Sequence, residues 1–144
     1  MSREIQQGHI TLRLDLPSRP LPIYADGIQI EQIIVNLMQN AIDALRDAPT
    51  ERREVQLQVR ATKGIAEVAV RDSGSGVSAA AEEHMFEPFF TTKPTGLGMG
   101  LAISRSIVEA HGGRVWSKRR ADGGPGTTVI FTLPLQPVRK RSST

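Results

Sequence analysis

The stretch from about residue 27 to residue 47 constrains this chain more than any other. Its apolar positions, Ile30, Ile33, Ile34, Leu37, Met38, Ala41 and Leu45, recur at three- and four-residue spacing. That is the period of a helix with one buried stripe. Asp26 stands where an N-cap belongs, and Pro49 ends the pattern. A long amphipathic helix has to lay its stripe against another layer, and the rest of the chain supplies strands for one.

Ile10-Thr-Leu-Arg-Leu-Asp-Leu16 alternates apolar and polar residues and predicts a half-buried strand. A connection containing Pro17, Pro20 and Pro22 follows. Val55-x-Leu57-x-Val59-x-Ala61 and Ala66-x-Val68-x-Val70 read as two more strands, joined as a hairpin by Lys63-Gly64. Ser78 can cap a short Ala/Glu-rich helix ending near His84. Residues 86–100 carry Pro88, Pro94, Gly96, Gly98 and Gly100, the composition of a long functional loop. A helix over about 101–111 stops at Gly112-Gly113, where a left-handed cap is needed. Residues 114–118 and 127–133 read as a closing pair of strands around a Gly-rich loop. The expected fold is a two-layer α/β sandwich. It has a mixed, mostly antiparallel sheet of about five strands, packed against about three helices.

Composition removes several function classes. There is no cysteine, hence no disulfide, thiolate metal site or cysteine nucleophile. No apolar run is long enough to span a bilayer, and Met1-Ser-Arg-Glu4 has no signal-peptide pattern, so a cytoplasmic domain without membrane contact is expected. The net charge of +3 resides in Arg139, Lys140 and Arg141; without them 15 basic residues face 15 acidic ones. Residues 137–144 are therefore expected to be a basic flexible tail on a domain of residues 1–136, and nucleic acid is not an expected partner. No GxxxxGK[ST] sequence is present, so the chain is not a P-loop enzyme.

Three constellations carry candidate chemistry. At about 100° per residue, Asn36, Asn40 and Asp43 fall in one narrow stripe of the first helix, on the order of 130° from the apolar one. It is either a solvated face or a set aimed at a ligand. Asn is a weak helix former, so two of them one turn apart are unusual on a merely solvated face. Asp72 ends a strand and is followed by Gly74 and Gly76. It is either part of a turn or a carboxylate placed to accept a hydrogen bond from an amino group. Gly96-Leu-Gly-Met-Gly100 runs into a helix N-terminus and reads as a hinge or as a phosphate cradle. His9, His84 and His111 lack metal-ligand spacing and receive no role; His111, in a last helical turn, sits where a positive charge is favoured.

In order and spacing these pieces resemble the catalytic domain of two-component sensor histidine kinases. Asn36-Leu-Met-Gln-Asn40-Ala-Ile-Asp-Ala44 is similar to the N box, and Asp72-Ser-Gly-Ser-Gly76 to the G1 box. Phe86-Glu-Pro-Phe-Phe-Thr-Thr-Lys93 is similar to the F box, and the run from Gly96 to Gly113 to the G2 box with its helix. Gly124-Pro-Gly-Thr-Thr128 is similar to the final Gly-Thr box. The wording of the F box is most similar to that of the oxygen-, nitrogen- and dicarboxylate-sensing kinases.

The resemblance implies the ATP-binding fold shared with gyrase B, Hsp90 and MutL, with ATP and Mg²⁺ as cofactors. It implies that Asn40 ligates Mg²⁺ and that Asp72 binds the adenine amino group. Gly76 and Thr127 or Thr128 complete the base pocket, with Ala44, Gly74 and Val77 along it. Gly96, Leu97, Gly98, Met99, Gly100 and Leu101 wrap the phosphates as a mobile lid. Phe86, Thr91, Thr92 and Lys93 order that lid, Thr92 and Lys93 near the phosphates. The implied reaction donates the γ-phosphate to a histidine on a separate dimerisation and phosphotransfer domain, and from there to a response regulator. The parent kinase is cytoplasmic or membrane-anchored, and the isolated domain is expected to be monomeric.

Two departures are informative. ATPases of this fold carry a Glu where Asn36 stands, and an amide is a poor general base. Asn36 therefore favours transfer over hydrolysis, the alternatives being a conformational ATPase or a non-catalytic nucleotide-sensing module. Many histidine kinases carry Lys or Arg where this chain has Asp43, and Lys93 is expected to compensate. No His-Glu phosphoacceptor box occurs in the chain.

Overall fold

The computed structural model describes residues 9–23, 25–46, 53–74, 84–87, 100–119 and 126–135. Along the chain run β1 (Thr11–Asp15), α1 (Gly27–Arg46), β2 (Glu54–Thr62), β3 (Ile65–Asp72), α2 (Gly100–Ala110), β4 (Val115–Arg119) and β5 (Thr127–Pro134). The strands form one sheet in the order β1-β2-β3-β5-β4. β1 runs parallel to β2, and every other pair is antiparallel. The expected mixed, mostly antiparallel five-stranded sheet is what forms.

Local chemistry sets the ends of the elements. Asp26 caps α1: its carboxylate accepts the Ile28 N–H at 2.9 Å and the Gln29 N–H at 3.4 Å. Lys63 and Gly64 both take positive φ, 45° and 78°, the geometry of a two-residue turn between twisted strands, and β2 and β3 pair from Thr62↔Ile65 outward. At the end of α2 the Gly113 N–H returns to the Val108 carbonyl at 2.9 Å and the Gly112 N–H to Glu109 at 3.0 Å. This closes the helix as the Gly-Gly pair predicts.

Both helices lie on one face of the sheet. α1 packs mainly on β3 and α2 on β4 and β5, with the helices side by side. The core between the layers is built from Ile33, Leu37 and Leu45 of α1, Val108 of α2, and Val55, Val70, Val129 and Phe131 of the sheet. Ile42, outside the stripe read from the sequence, is also buried. Two helices fall among the described residues. Of the short helix expected after Ser78, most lies outside them; His84–Glu87 form one turn, with the Glu87 N–H bonded to the His84 carbonyl at 2.9 Å. The expected tail at 137–144 also lies outside them.

β1 departs from expectation. The register places Leu12 beside Val55 and Leu14 beside Leu57, on the helix side of the sheet. Yet Leu12 is 39% and Leu14 58% exposed, because β1 is the edge strand and α1 sits over the strands further in. Among the described residues no helix is long and apolar enough to cross a membrane.

Candidate functional site

Three segments meet beyond the C-terminal end of β3. They are Asp72–Gly74, the C-terminal half of α1, and the start of β5. Gly74 abuts the Ala44 carbonyl of α1 so closely that a Cβ there would lie 2.7 Å from that oxygen. Gly126, with φ at 123°, passes against the Asp72 carbonyl, where a Cβ would overlap it. Glycine at these two positions lets three backbones converge where any side chain would hold them apart.

The convergence buries Asp72, which is 6% exposed. The Gly74 N–H donates to its Oδ1 at 2.9 Å, and the Thr127 N–H also donates to the carboxylate. Burial pushes its pKa from 3.8 up to about 6, and the two N–H groups pull the other way. A carboxylate offers about four lone-pair positions. Two N–H donors leave it able to accept from a ligand, and near neutral pH it is still ionised. Ser73 fixes the strand end beside it. Its N–H bonds the Glu54 carbonyl at 3.1 Å, and its Oγ accepts the Glu54 N–H at 2.9 Å.

On α1 the polar stripe is half-buried throughout. Gln39 donates to the Asp43 carboxylate at 3.1 Å, an i, i+4 pair along the helix. Asn40 lies one turn before Ala44. Its amide oxygen is a hard donor of the kind Mg²⁺ takes when phosphate and water supply the remaining ligands. Asn36 faces the other helix: its Nδ2 lies 3.4 Å from both the Gly100 carbonyl and the Ser104 Oγ. The Ser104 hydroxyl in turn donates to the same carbonyl at 2.9 Å.

The structure thus brings Asn40, Asp43, Ala44, Asp72, Gly74, Thr127 and Thr128 to one end of the two layers. Thr127 and Thr128 are both buried, 7% and 5% exposed. Gly100 and Leu101 open α2, and Phe86 and Leu101 pack against the core. Gly76, Val77, Thr91, Thr92, Lys93, Gly96, Leu97, Gly98 and Met99 lie outside the described residues, and with them the expected lid and the Lys93 compensation. Sequence reasoning missed Gly126 and Ser104. Gly126 stands inside the Gly-Thr box, and nothing local to the sequence distinguishes it from Gly124. Ser104 is one hydroxyl in an amphipathic helix and carries no sequence signal. His111 is also better defined than expected. Its Nδ1 lies 2.7 Å from the Ile107 carbonyl, and its Nε2 faces the Asp26 N–H at 3.4 Å.

Residues 25–137 match the family described as histidine kinase-, DNA gyrase B-, and HSP90-like ATPase. The sensor protein FixL of Bradyrhizobium diazoefficiens is 45% identical over 130 residues, 90% of this chain and 25% of that protein. The C4-dicarboxylate transport sensor protein DctB of Rhizobium meliloti is 39% identical over 123 residues, 85% of this chain and 19% of that protein. Among solved structures, full-length ShkA in complex with AMPPNP is similar with a TM-score of 0.78 at 31% identity, covering 94% of this chain and 27% of that one. The chain spans a quarter or less of the length of these two curated relatives. A dicarboxylate sensor among them agrees with the subgroup to which the F-box wording is similar.

Proposed function

The chain belongs to the histidine kinase-, DNA gyrase B-, and HSP90-like ATPase family, and on that premise we propose that it is the nucleotide-binding part of a sensor kinase. It binds Mg-ATP and donates the γ-phosphate to a histidine on a separate dimerisation and phosphotransfer domain. A response regulator takes the phosphoryl group from that domain. The compartment of this chemistry is the cytoplasm, where ATP is available, whether or not the parent kinase is anchored in a membrane.

The observation that carries the reading is the buried Asp72 carboxylate, held by the Gly74 and Thr127 N–H groups with acceptor capacity to spare. An adenine amino group is a suitable donor for it. The backbone convergence at Gly74 and Gly126 leaves a ligand edge close to main chain, and the buried Thr127 or Thr128 completes the base pocket. Asn40 offers its amide oxygen to Mg²⁺, which supplies charge neutralisation on the phosphates. Transfer of this kind needs mainly positioning and electrostatic stabilisation.

Asn36 supports transfer over hydrolysis. Its side chain is an amide, a poor base, and its nitrogen is engaged with Gly100 and Ser104 rather than poised to activate water. The test adds radiolabelled ATP and the parent kinase's phosphotransfer domain to this chain, with Asn40→Ala in parallel. Label should reach the acceptor histidine with the wild type and be lost with the variant. Label that survives Asn40→Ala overturns the metal assignment. Rapid ATP turnover without acceptor favours a conformational ATPase, and nucleotide binding without any labelling favours a sensing module.

A further inference from the structure

α1 and α2 run antiparallel, and polar contacts bracket their interface. At one end the Asp26 N–H faces the His111 Nε2 at 3.4 Å, and the Gly112-Gly113 cap locks the end of α2. At the other end, ten residues further along α1, Asn36 donates to the Gly100 carbonyl and the Ser104 Oγ. Between the two lie apolar side chains, Ile33 of α1 and Val108 of α2, both fully buried. Apolar packing resists separation of two helices but does little to resist a small tilt, because it is non-directional. The directional contacts at the ends set the angle.

The consequence falls on Gly100. α2 has eleven residues and is about 16 Å long. With its far end fixed, a tilt of about 5° moves its first turn by about 1.4 Å, and a misplacement near 1 Å is enough to matter at a reacting group. The Gly100 carbonyl is where that first turn is gripped. It accepts the Ser104 hydroxyl at 2.9 Å and faces the Asn36 amide at 3.4 Å. Ser104 is fully buried, so its hydroxyl has no water to turn to when this contact is lost.

We infer that Asn36 is a positioning residue. Through Gly100 and Ser104 its amide fixes the first turn of α2, and so the backbone N–H groups that meet the nucleotide phosphates, without touching the nucleotide itself. This rests on the nucleotide-binding reading above. It assigns Asn36 a task different from that of a metal ligand or a base, and one that requires an N–H donor. A carboxylate of the same shape cannot perform it, because it has no hydrogen to give and repels the Gly100 oxygen.

Asn36→Asp therefore separates the roles. Calorimetric titration with ATP and, by competition, with adenosine should show ATP bound about fivefold more weakly than by the wild type, the effect of losing modest neutral hydrogen bonds. Adenosine affinity should stay within about twofold. Asn36→Ala and Ser104→Ala should each weaken ATP binding, and the double variant should be no worse than the worse single one, because both act through one contact. Hydrogen exchange of the unliganded Asn36→Asp protein gives a readout that needs no nucleotide. The amides of Ser104, Arg105 and Ser106 should exchange faster, while those of β3 do not change. ATP affinity equal to that of the wild type, an equal loss for adenosine, or full additivity of the two alanine changes overturns the assignment, as does unchanged exchange at Ser104. A wild-type chain that binds neither ligand overturns the nucleotide reading instead, and the exchange measurement still decides whether Asn36 holds α2.

Discussion

Gly126 packs its backbone directly against the Asp72 carbonyl, with no space between them for a β-carbon. The contact joins the start of β5 to the end of β3 just beyond their last paired residues, Arg71↔Thr128. It also brings the Thr127 N–H to the Asp72 carboxylate. One glycine therefore serves both the closure of the sheet and the electrostatics of the candidate site.

Gly126→Ala should be costly on two counts. Its φ of 123° is one that a side chain rarely adopts, and the added methyl group meets main chain that cannot rotate away. A loss of about 3 kcal/mol in urea unfolding is expected, with weaker nucleotide binding in whatever fraction folds. Gly27→Ala is the control, since a Cβ there meets nothing within 4 Å. Equal effects of the two changes would remove the structural role given to Gly126.

The edge strand allows a prediction of the opposite kind. Leu14 is 58% exposed although the register places it on the helix side of the sheet. Leu14→Gln should change the unfolding free energy of this chain by less than about 0.5 kcal/mol. Phe131→Ala, at a fully buried position in the central part of the sheet, should cost about 3–5 kcal/mol. Denaturant midpoints of the two variants measure the contrast. A large effect at Leu14 would mean that something covers β1.

This contrast marks where sequence reasoning stops. The period of α1, the Lys63-Gly64 turn and the Gly112-Gly113 stop depend on residues within a few positions of one another, so they are legible in the chain itself. The alternation of residues 10–16 is equally clear, but whether such a strand is half-buried depends on its place in the sheet. That β1 lies at an edge, parallel to β2 and outside the helices, is a long-range fact that alternation does not encode. The same division runs through the site. Asp72 and its glycines are visible as a cluster along the chain. The approach of Gly126 to Asp72, and of Asn36 to Ser104, joins residues 54 and 68 positions apart, and only the packed layers bring them together. Ile42 shows the finer limit: α1 is covered on a broader arc than one stripe predicts, because it packs against both a sheet and a second helix.

Among the described residues, Asp72 gives the fold a pH dependence. Its carboxyl is raised from 3.8 to about 6, first by burial, with the Gly74 and Thr127 N–H groups opposing. Between those values the folded protein holds a proton that the unfolded chain has lost. This group therefore favours folding fully below 3.8, and the advantage disappears as pH rises through about 6. Above that, the ionised carboxylate costs the folded state up to about 3 kcal/mol. Asn cannot titrate, so Asp72→Asn removes the dependence. Relative to wild type the variant should be more stable at about pH 8, and the difference should shrink by about 1 kcal/mol on going to about pH 5. The gain at the higher pH will fall short of the full penalty, because an amide has one acceptor oxygen where a carboxylate has two, and that oxygen is neutral. Nucleotide binding should move the other way. At about pH 8 the variant lacks the charged acceptor for an adenine amino group and should bind ATP about tenfold to a hundredfold more weakly. Urea unfolding and ATP titration, each at both pH values, measure the two effects separately. A stability difference that does not change with pH would mean that Asp72 does not titrate in this range. Undiminished ATP affinity would remove it from the base pocket.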